Sequence, residues 1–261
     1  MNPISCIIIT YNEEGSIKDC LESIKWVDEI IVVDSGSSDK TIEIAKEYTD
    51  KVFHKEWMGY GKQKEYARQM ASLNWVLSID ADERISEKLK DEILKSGVWS
   101  LKSGVKKEDA YYIPRKLFFL GKLLRFGGCS DKQIRLFRKE KAKFSDDIIH
   151  EKVIVDGKIG RLKNPIFHYS YKNILDYFER FNKYSTLEAE KIVRSQGVRG
   201  SGGQRSNILF VFQVFLCFID FLKRYIFKLG MLDGIQGFLW ALFSSFHRLV
   251  KYAKVLEIKQ K

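Results

Sequence analysis

Four short apolar runs alternate with helical patterns over the N-terminal part of the chain, and no other feature constrains the fold as much. The runs are Ile4–Thr10, 29–33, 52–53 and 75–79. The first is almost unbroken, as expected of a parallel strand covered on both faces. Between the runs lie three helical spacings: 15–24, with Ile17, Cys20, Leu21 and Ile24; 39–48, with Ile42, Ile44 and Ala45; and 61–72. Strand alternating with helix predicts an α/β chain with a doubly wound, mostly parallel sheet. From about Ala110 the pattern changes. Segments 109–114, 133–137 and 151–155 read as strands, broken by turns at Gly127-Gly128 and Asp156-Gly157, and they are expected to complete the sheet.

The C-terminal part differs in kind. Residues 174–193 are helical in spacing, with Tyr177, Phe178, Phe181 and Tyr184, and 196–206 is a Gly-, Ser- and Arg-rich stretch that reads as a flexible loop. Residues 208–219 are nearly all apolar but end at Asp220, short of the roughly 20 residues that span a bilayer. Residues 235–256 place Leu239, Leu242, Phe243, Phe246, Leu249, Val250 and Ala253 on one face, and Arg248, Lys251 and Lys254 on the other. A basic amphipathic helix suits a membrane interface; packing on the rest of the chain or in a dimer is the alternative. These boundaries predict a domain over 1–195, a loop over 196–206 and a helical, membrane-interfacial appendage over 207–261.

The net charge of +11 implies a surface drawn to polyanions, whether nucleic acid, anionic lipid or phosphorylated saccharide. Cys6, Cys20, Cys129 and Cys217 show no paired spacing and read as reduced thiols of a cytosolic protein. The N-terminus enters a strand directly, so no signal peptide is expected.

Chemistry concentrates where the strands end. Val76-Leu77-Ser78-Ile79 runs straight into Asp80-Ala81-Asp82-Glu83. Like charges clustered at a strand end are costly unless a cation lies between them, which suggests a divalent metal at the carboxyl edge of the sheet. Alternatively, Asp82 and Glu83 are favourable acids at the start of a helix over 86–96. The first strand ends in Thr10-Tyr11-Asn12-Glu13-Glu14, and the second in Asp34-Ser35-Gly36-Ser37-Ser38-Asp39. In a parallel sheet all three ends share one edge and can meet one ligand. Taken singly, Asp34 and Asp39 could cap the next helix, and Glu13 and Glu14 could be first-turn acids. Gly59-Tyr60-Gly61-Lys62-Gln63-Lys64 offers cations beside a helix start, suited to phosphate or sugar; solvated lysines are the alternative. It is not a P-loop, and no G-x-G-x-x-G follows a strand, which disfavours P-loop NTPases and dinucleotide oxidoreductases.

The segments IIITYNEE (7–14), IIVVDSGSSDKT (30–41) and LSIDADE (77–83) together resemble the family 2 glycosyltransferases of the GT-A fold, over roughly residues 4–155. Within that family, GYGKQKEYA (59–67), IHEKV (149–153), HYSY (168–171) and GMLDGIQGF (230–238) are similar to lipopolysaccharide-core β-glucosyltransferases. The resemblance implies an inverting transfer of a hexose, foremost glucose, from a UDP-sugar to a lipid-linked saccharide on the cytoplasmic face of the membrane. The protein would be peripheral on an anionic surface there. The resemblance further implies that Glu13 grips the ribose, Asp34 accepts the uracil N–H, Asp80 lies near ribose or metal, and Asp82 ligates Mg²⁺ or Mn²⁺. Thr10, Tyr11, Ser35, Gly36 and Ala81 in the same segments, with Lys62, complete the expected donor-binding set. The acceptor hydroxyl needs a base opposite the leaving group. Asp146, Asp147, His150 and Glu151 are candidates; the resemblance favours Glu151, with His150 as the other contender in place of the family's more usual Glu-Asp pair. His168 is a weaker candidate, equally readable as a satisfied core histidine, and Arg135 and Arg138 could meet diphosphate or an anionic acceptor, with solvated strand arginines as the default reading.

Two other classes fit less well. A sugar-phosphate nucleotidyltransferase would carry a Gly- and Arg-rich loop after the first strand, where this chain has Tyr11-Asn12-Glu13. A nucleic-acid-binding module would cluster its basic and aromatic residues. Here lysines are spread through the chain and the acidic strand ends repel phosphate, so no nucleic-acid partner is expected.

Overall fold

A computed structural model describes residues 3–95, 108–146, 151–171, 173–196 and 203–260. The chain divides into two compact units, one of residues 1–116 and 131–169, the other of 117–130 and 170–261.

The first unit opens with strands β1 (Ile4–Thr10), β2 (Glu29–Asp34), β3 (Val52–His54) and β4 (Trp75–Asp80), interleaved with helices α1 (Ile17–Ile24), α2 (Thr41–Lys46) and α3 (Tyr60–Met70). The four strands lie parallel in the order β3-β2-β1-β4. Residues of β1 alternate between two cores. Ile4, Cys6 and Ile8 meet Ile17, Cys20, Leu21 and Ile24 of α1 on one face; Ile7 meets Ala67 of α3 and Ala71 on the other. A strand packed on both faces has no solvent side, which is why its sequence is apolar throughout.

The chain then forms β5 (Glu83–Ile85), α4 (Glu87–Lys95), β6 (Ala110–Phe119), β7 (Lys122–Leu123), β8 (Asp131–Arg138), β9 (Ala142–Phe144), β10 (Val153–Val155), β11 (Ile159–Arg161) and β12 (Ile166–His168). Beyond β4 the sheet continues β8-β6-β12-β5. The β4–β8, β6–β8 and β5–β12 pairs are antiparallel, and β11 runs parallel to β6. β6 and β8 are joined through residues 120–130, a connection too short for a parallel crossover. The strand expected at 151–155 is β10, and it does not complete the main sheet: among the described residues it pairs with β9 alone, in a separate two-stranded ribbon.

The second unit contains β7, paired with the end of β6, and helices α5 (Ile174–Gln196), α6 (Gly203–Leu222) and α7 (Gly234–Gln260). Residues 203–206, read from sequence as loop, are the first turn of α6. Its core joins Leu117, Phe119, Leu124, Tyr177 and Phe181 to Leu239, Trp240, Phe243 and Val250. Much of the apolar face of α7 is therefore a packing face. Its cations are also engaged: Arg248 with Asp220 at 2.7 Å, Lys251 with Glu188 at 3.0 Å, and Lys254 with Thr186 Oγ1 at 2.7 Å. Exposed apolar side chains lie at Phe212, Phe215 and Phe218 on α6, at Phe227 and Leu232 beyond it, and at Ile235, Leu242 and Phe246 on α7 itself. Among the described residues no helix is long and apolar enough to cross a membrane.

Candidate active site

Strand register brings the acidic ends together. Thr10 pairs with Asp34, and Ile9 with Asp80, so the ends of β1, β2 and β4 adjoin at one edge of the sheet. Two of them are stitched by hydrogen bonds. Ser35 N–H donates to the Thr10 carbonyl (3.0 Å), Asn12 N–H to Ser37 Oγ (2.8 Å), Ser38 N–H to Asn12 Oδ1 (2.8 Å) and Glu13 N–H to Thr41 Oγ1 (2.8 Å). Asn12 takes a left-handed φ of 53°, which its short polar side chain tolerates.

Asp34 is buried and accepts from Gly36 N–H (2.7 Å), Ser37 N–H (2.8 Å) and Ser37 Oγ, so its carboxylate shapes its own turn. Gly36 supplies the left-handed φ of 95° that this turn requires. Thr10 Oγ1 is buried and finds no partner among the described residues. Ser35 Oγ accepts from Gln63 of α3 (3.0 Å). Tyr11 is exposed and Glu13 half-buried. Asp39, just ahead of α2, accepts Thr41 N–H (3.0 Å), but the N-cap position of the helix is Lys40.

The end of β4 is a buried ion cluster. Asp80 Oδ1 meets Lys64 Nζ at 2.8 Å and Oδ2 meets an Arg135 nitrogen at 2.8 Å. Glu83 is fully buried, accepts Asp80 N–H (3.0 Å), and pairs with Arg135 at 2.7 Å and Arg115 at 3.4 Å. Arg115 also holds Asp131 at 2.7 Å. Burial would raise both carboxyl pKa values, and the balance differs between them. Arg135 and Lys64 hold Asp80 well below the usual carboxylate range, whereas burial together with the Asp80 charge leaves Glu83 raised. Glu83 is thus part of this cluster and not an acid that merely favours the start of α4.

Asp82 points to a different partner. Its Oδ2 lies 3.3 Å from His168 Nε2, while its carbonyl accepts Tyr169 N–H at 2.8 Å. The β5–β12 pairing, with His168 opposite Glu83, sets this contact. Burial opposes a charge on His168, yet the Asp82 carboxylate raises its pKa above the ordinary value. Ala81 is buried between the two acids.

Lys62 is exposed, whereas Lys64 is buried and bonded to Glu151 Oε1 at 2.6 Å as well as to Asp80. Asp147 and His150 lie outside the described residues, and Asp146 is exposed. Arg135 is no solvated strand arginine but the central cation of the cluster; Arg138 lies 3.5 Å from Asp109, away from it. Sequence reasoning missed the buried state of Lys64 and Arg135 and the placement of His168 beside Asp82. One signal was available for Lys64: it shares helical spacing with Gly61 and Ala67 on the buried face of α3.

Residues 5–96 match the family model for glycosyl transferase family 2. The whole chain aligns at 33% identity with an uncharacterized glycosyltransferase of Rickettsia typhi, spanning 89% of that protein. It is 28% identical to the lipopolysaccharide core biosynthesis glycosyltransferase LpsC of Rhizobium meliloti, over 98% of this chain and 92% of LpsC. Among solved structures it is similar to residues 1–349 of S. aureus TarS in complex with UDP-GlcNAc, with a TM-score of 0.46 and 16% identity over 99% of this chain and 90% of that one.

Proposed function

Because the chain belongs to the family 2 glycosyltransferases, with their GT-A architecture, we propose that it moves a hexose, foremost glucose, from a UDP-sugar to a lipid-linked saccharide with inversion at the anomeric carbon. The observation that carries this reading is the shared edge: Glu13, Asp34 and Asp80-Ala81-Asp82 leave adjacent parallel strands, and Glu151 reaches the same edge through Lys64. Similarity to LpsC supports a saccharide acceptor of the lipopolysaccharide-core kind.

In this reading Glu13 holds the ribose diol and Asp34 accepts the uracil N–H. Thr10, with its unpartnered buried hydroxyl, lines the same end. A divalent cation fits Asp82 better than Asp80, because each Asp80 oxygen already meets a cation. Asp82 and His168, now hydrogen-bonded at 3.3 Å, would hold the ion once it replaces the proton between them, with donor phosphates left to complete the shell. Among the described residues no three such side chains surround a common point. Bound there, Mg²⁺ or Mn²⁺ would neutralise the departing diphosphate as a Lewis acid. Glu151 takes the acceptor proton.

The second unit supplies the contact with the membrane. Exposed Phe212, Phe215, Phe218 and Phe227, with Lys223 and Lys228 also exposed, suit an anionic interface on the cytoplasmic side.

A thermal-shift panel of UDP-, GDP-, CMP- and dTDP-hexoses, each with and without Mn²⁺, tests the donor. A UDP-hexose at about 100 times its Kd adds about 2.7 kcal/mol of stability, and the Mn²⁺-dependent part should vanish in Asp82→Asn. Stabilisation by another nucleotide sugar alone, or an unchanged Mn²⁺ response in the variant, refutes the donor or metal assignment. Phe215→Ser/Phe218→Ser/Phe227→Ser protein should stay in the supernatant when wild type sediments with phosphatidylglycerol vesicles; equal sedimentation rejects this face as the anchor.

A further inference from the structure

Lys64 occupies a costly position. Its side chain is 5% exposed, and a buried ammonium persists only where carboxylates compensate it. Lys64 shares the neutralising of Asp80 with Arg135, which meets Asp80 Oδ2 and Glu83. What Lys64 adds is a bridge: one Nζ lies 2.8 Å from Asp80 Oδ1 and 2.6 Å from Glu151 Oε1.

The frame around the bridge is fixed. Glu65, the next residue of α3, accepts Phe144 N–H of β9 at 3.0 Å, and Arg68 donates to the Lys139 carbonyl at 2.7 Å. β9 pairs with β10, whose first residue is Val153. Helix α3 thus carries the ribbon that places Glu151 and also the cation that seizes its side chain. Among the described residues Glu151 Oε2 makes no hydrogen bond.

We propose that Lys64 is the positioning residue of this transferase: it locks Glu151 through Oε1, at a set distance from the donor-side acid Asp80, and leaves Oε2 to take the acceptor proton. The inference rests on Glu151 being the base. In the step it serves, the acceptor O–H bond breaks and its proton goes to Glu151 Oε2. The freed oxygen pair forms the bond to the anomeric carbon. The bond from that carbon to the donor phosphate breaks, and its electron pair leaves on the nucleoside diphosphate. Lys64 neither gives nor takes the proton; it keeps the base aimed until the proton arrives.

A double-mutant cycle on the full chain tests this, with UDP release from UDP-glucose and Mn²⁺, water serving as acceptor, as the assay. Glu151→Gln should lower kcat by about 1,000-fold and Lys64→Met by about 100-fold. Because Lys64 acts through Glu151, the double variant should be no slower than Glu151→Gln alone. UDP affinity measured by calorimetry should change less than threefold in Lys64→Met, and Lys64→Arg should regain part of kcat. Multiplying effects in the double variant, an unchanged kcat in Lys64→Met, or a loss of UDP affinity equal to the loss of kcat would each overturn the proposal. Should Lys64→Met not fold, the Lys64→Arg and Lys64→Arg/Glu151→Gln pair closes the same cycle. A fully active Glu151→Gln would instead overturn the base assignment, and a wild type releasing no UDP from any donor would overturn the reaction.

Discussion

Glu29 offers a clean test of what holds the site's platform in place, because it sits at the opposite edge of the sheet and touches no proposed ligand. It is buried at the start of β2 and accepts from Ser5 Oγ of β1, Lys51 Nζ, Ser72 N–H (2.8 Å) and Ser72 Oγ (2.7 Å). One carboxylate thereby ties β1, β2 and the segment entering β4. Burial alone would raise its pKa, but the bonds from Lys51, Ser5 and Ser72 bring it down to about 2 from 4.5. A tenfold change in proton affinity between the folded and unfolded chain corresponds to about 1.4 kcal/mol, so the ionised form contributes about 3 kcal/mol to folding. The sign follows from the lowered folded-state pKa: the contribution is complete above the unfolded value and is lost as pH falls toward 2. Urea unfolding of wild type and Glu29→Gln at matched pH isolates it from other carboxylates. The stability gap should be about 3 kcal/mol near pH 6 and should shrink by about 2 kcal/mol near pH 3. At neutral pH, below its melting point, the variant should bind UDP as wild type does. A gap that does not vary with pH refutes the assignment of the stabilisation to this ionised hub.

Arg135→Met strands Asp80 and Glu83 beside each other without their shared cation and should cost about 3–5 kcal/mol in urea unfolding; a cost under about 1 kcal/mol would show that the cluster tolerates the loss. Asp233 is buried and its carboxylate accepts the N–H groups of Arg125 (2.9 Å) and Phe126 (2.8 Å), while its carbonyl accepts Lys122 Nζ (2.6 Å). Asp233→Ala should cost about 2 kcal/mol or more by leaving two donors unpaired, and should speed proteolytic cleavage around residues 124–130; unchanged cleavage would show that water satisfies them.

The contrast between the two ends of the chain shows what a sequence encodes locally. Strands β1, β2 and β4 were legible because each is buried on both faces, and the period of α1 was legible because Ile17, Cys20, Leu21 and Ile24 meet one core. That the acidic ends share one edge followed from the parallel alternation itself. The antiparallel half was less legible. A three-residue strand such as β10 or β12 has too few positions to show a period, and its partner is set by contacts distant in sequence. The α7 stripe was visible, but hydropathy cannot tell an interface with lipid from one with Tyr177 and Phe181, since both are apolar. Charged residues failed for a related reason. Lysine and arginine are read as solvated by default, and only a carboxylate brought from elsewhere reverses that. Lys64 needs Glu151, 87 positions away, and Arg135 needs Asp80, 55 positions away. A cation in the apolar stripe of a helix is the local trace of such a partner, and Lys64 between Gly61 and Ala67 carries it. The fold was therefore readable from residues that satisfy themselves locally, whereas the chemistry sits on residues that do not.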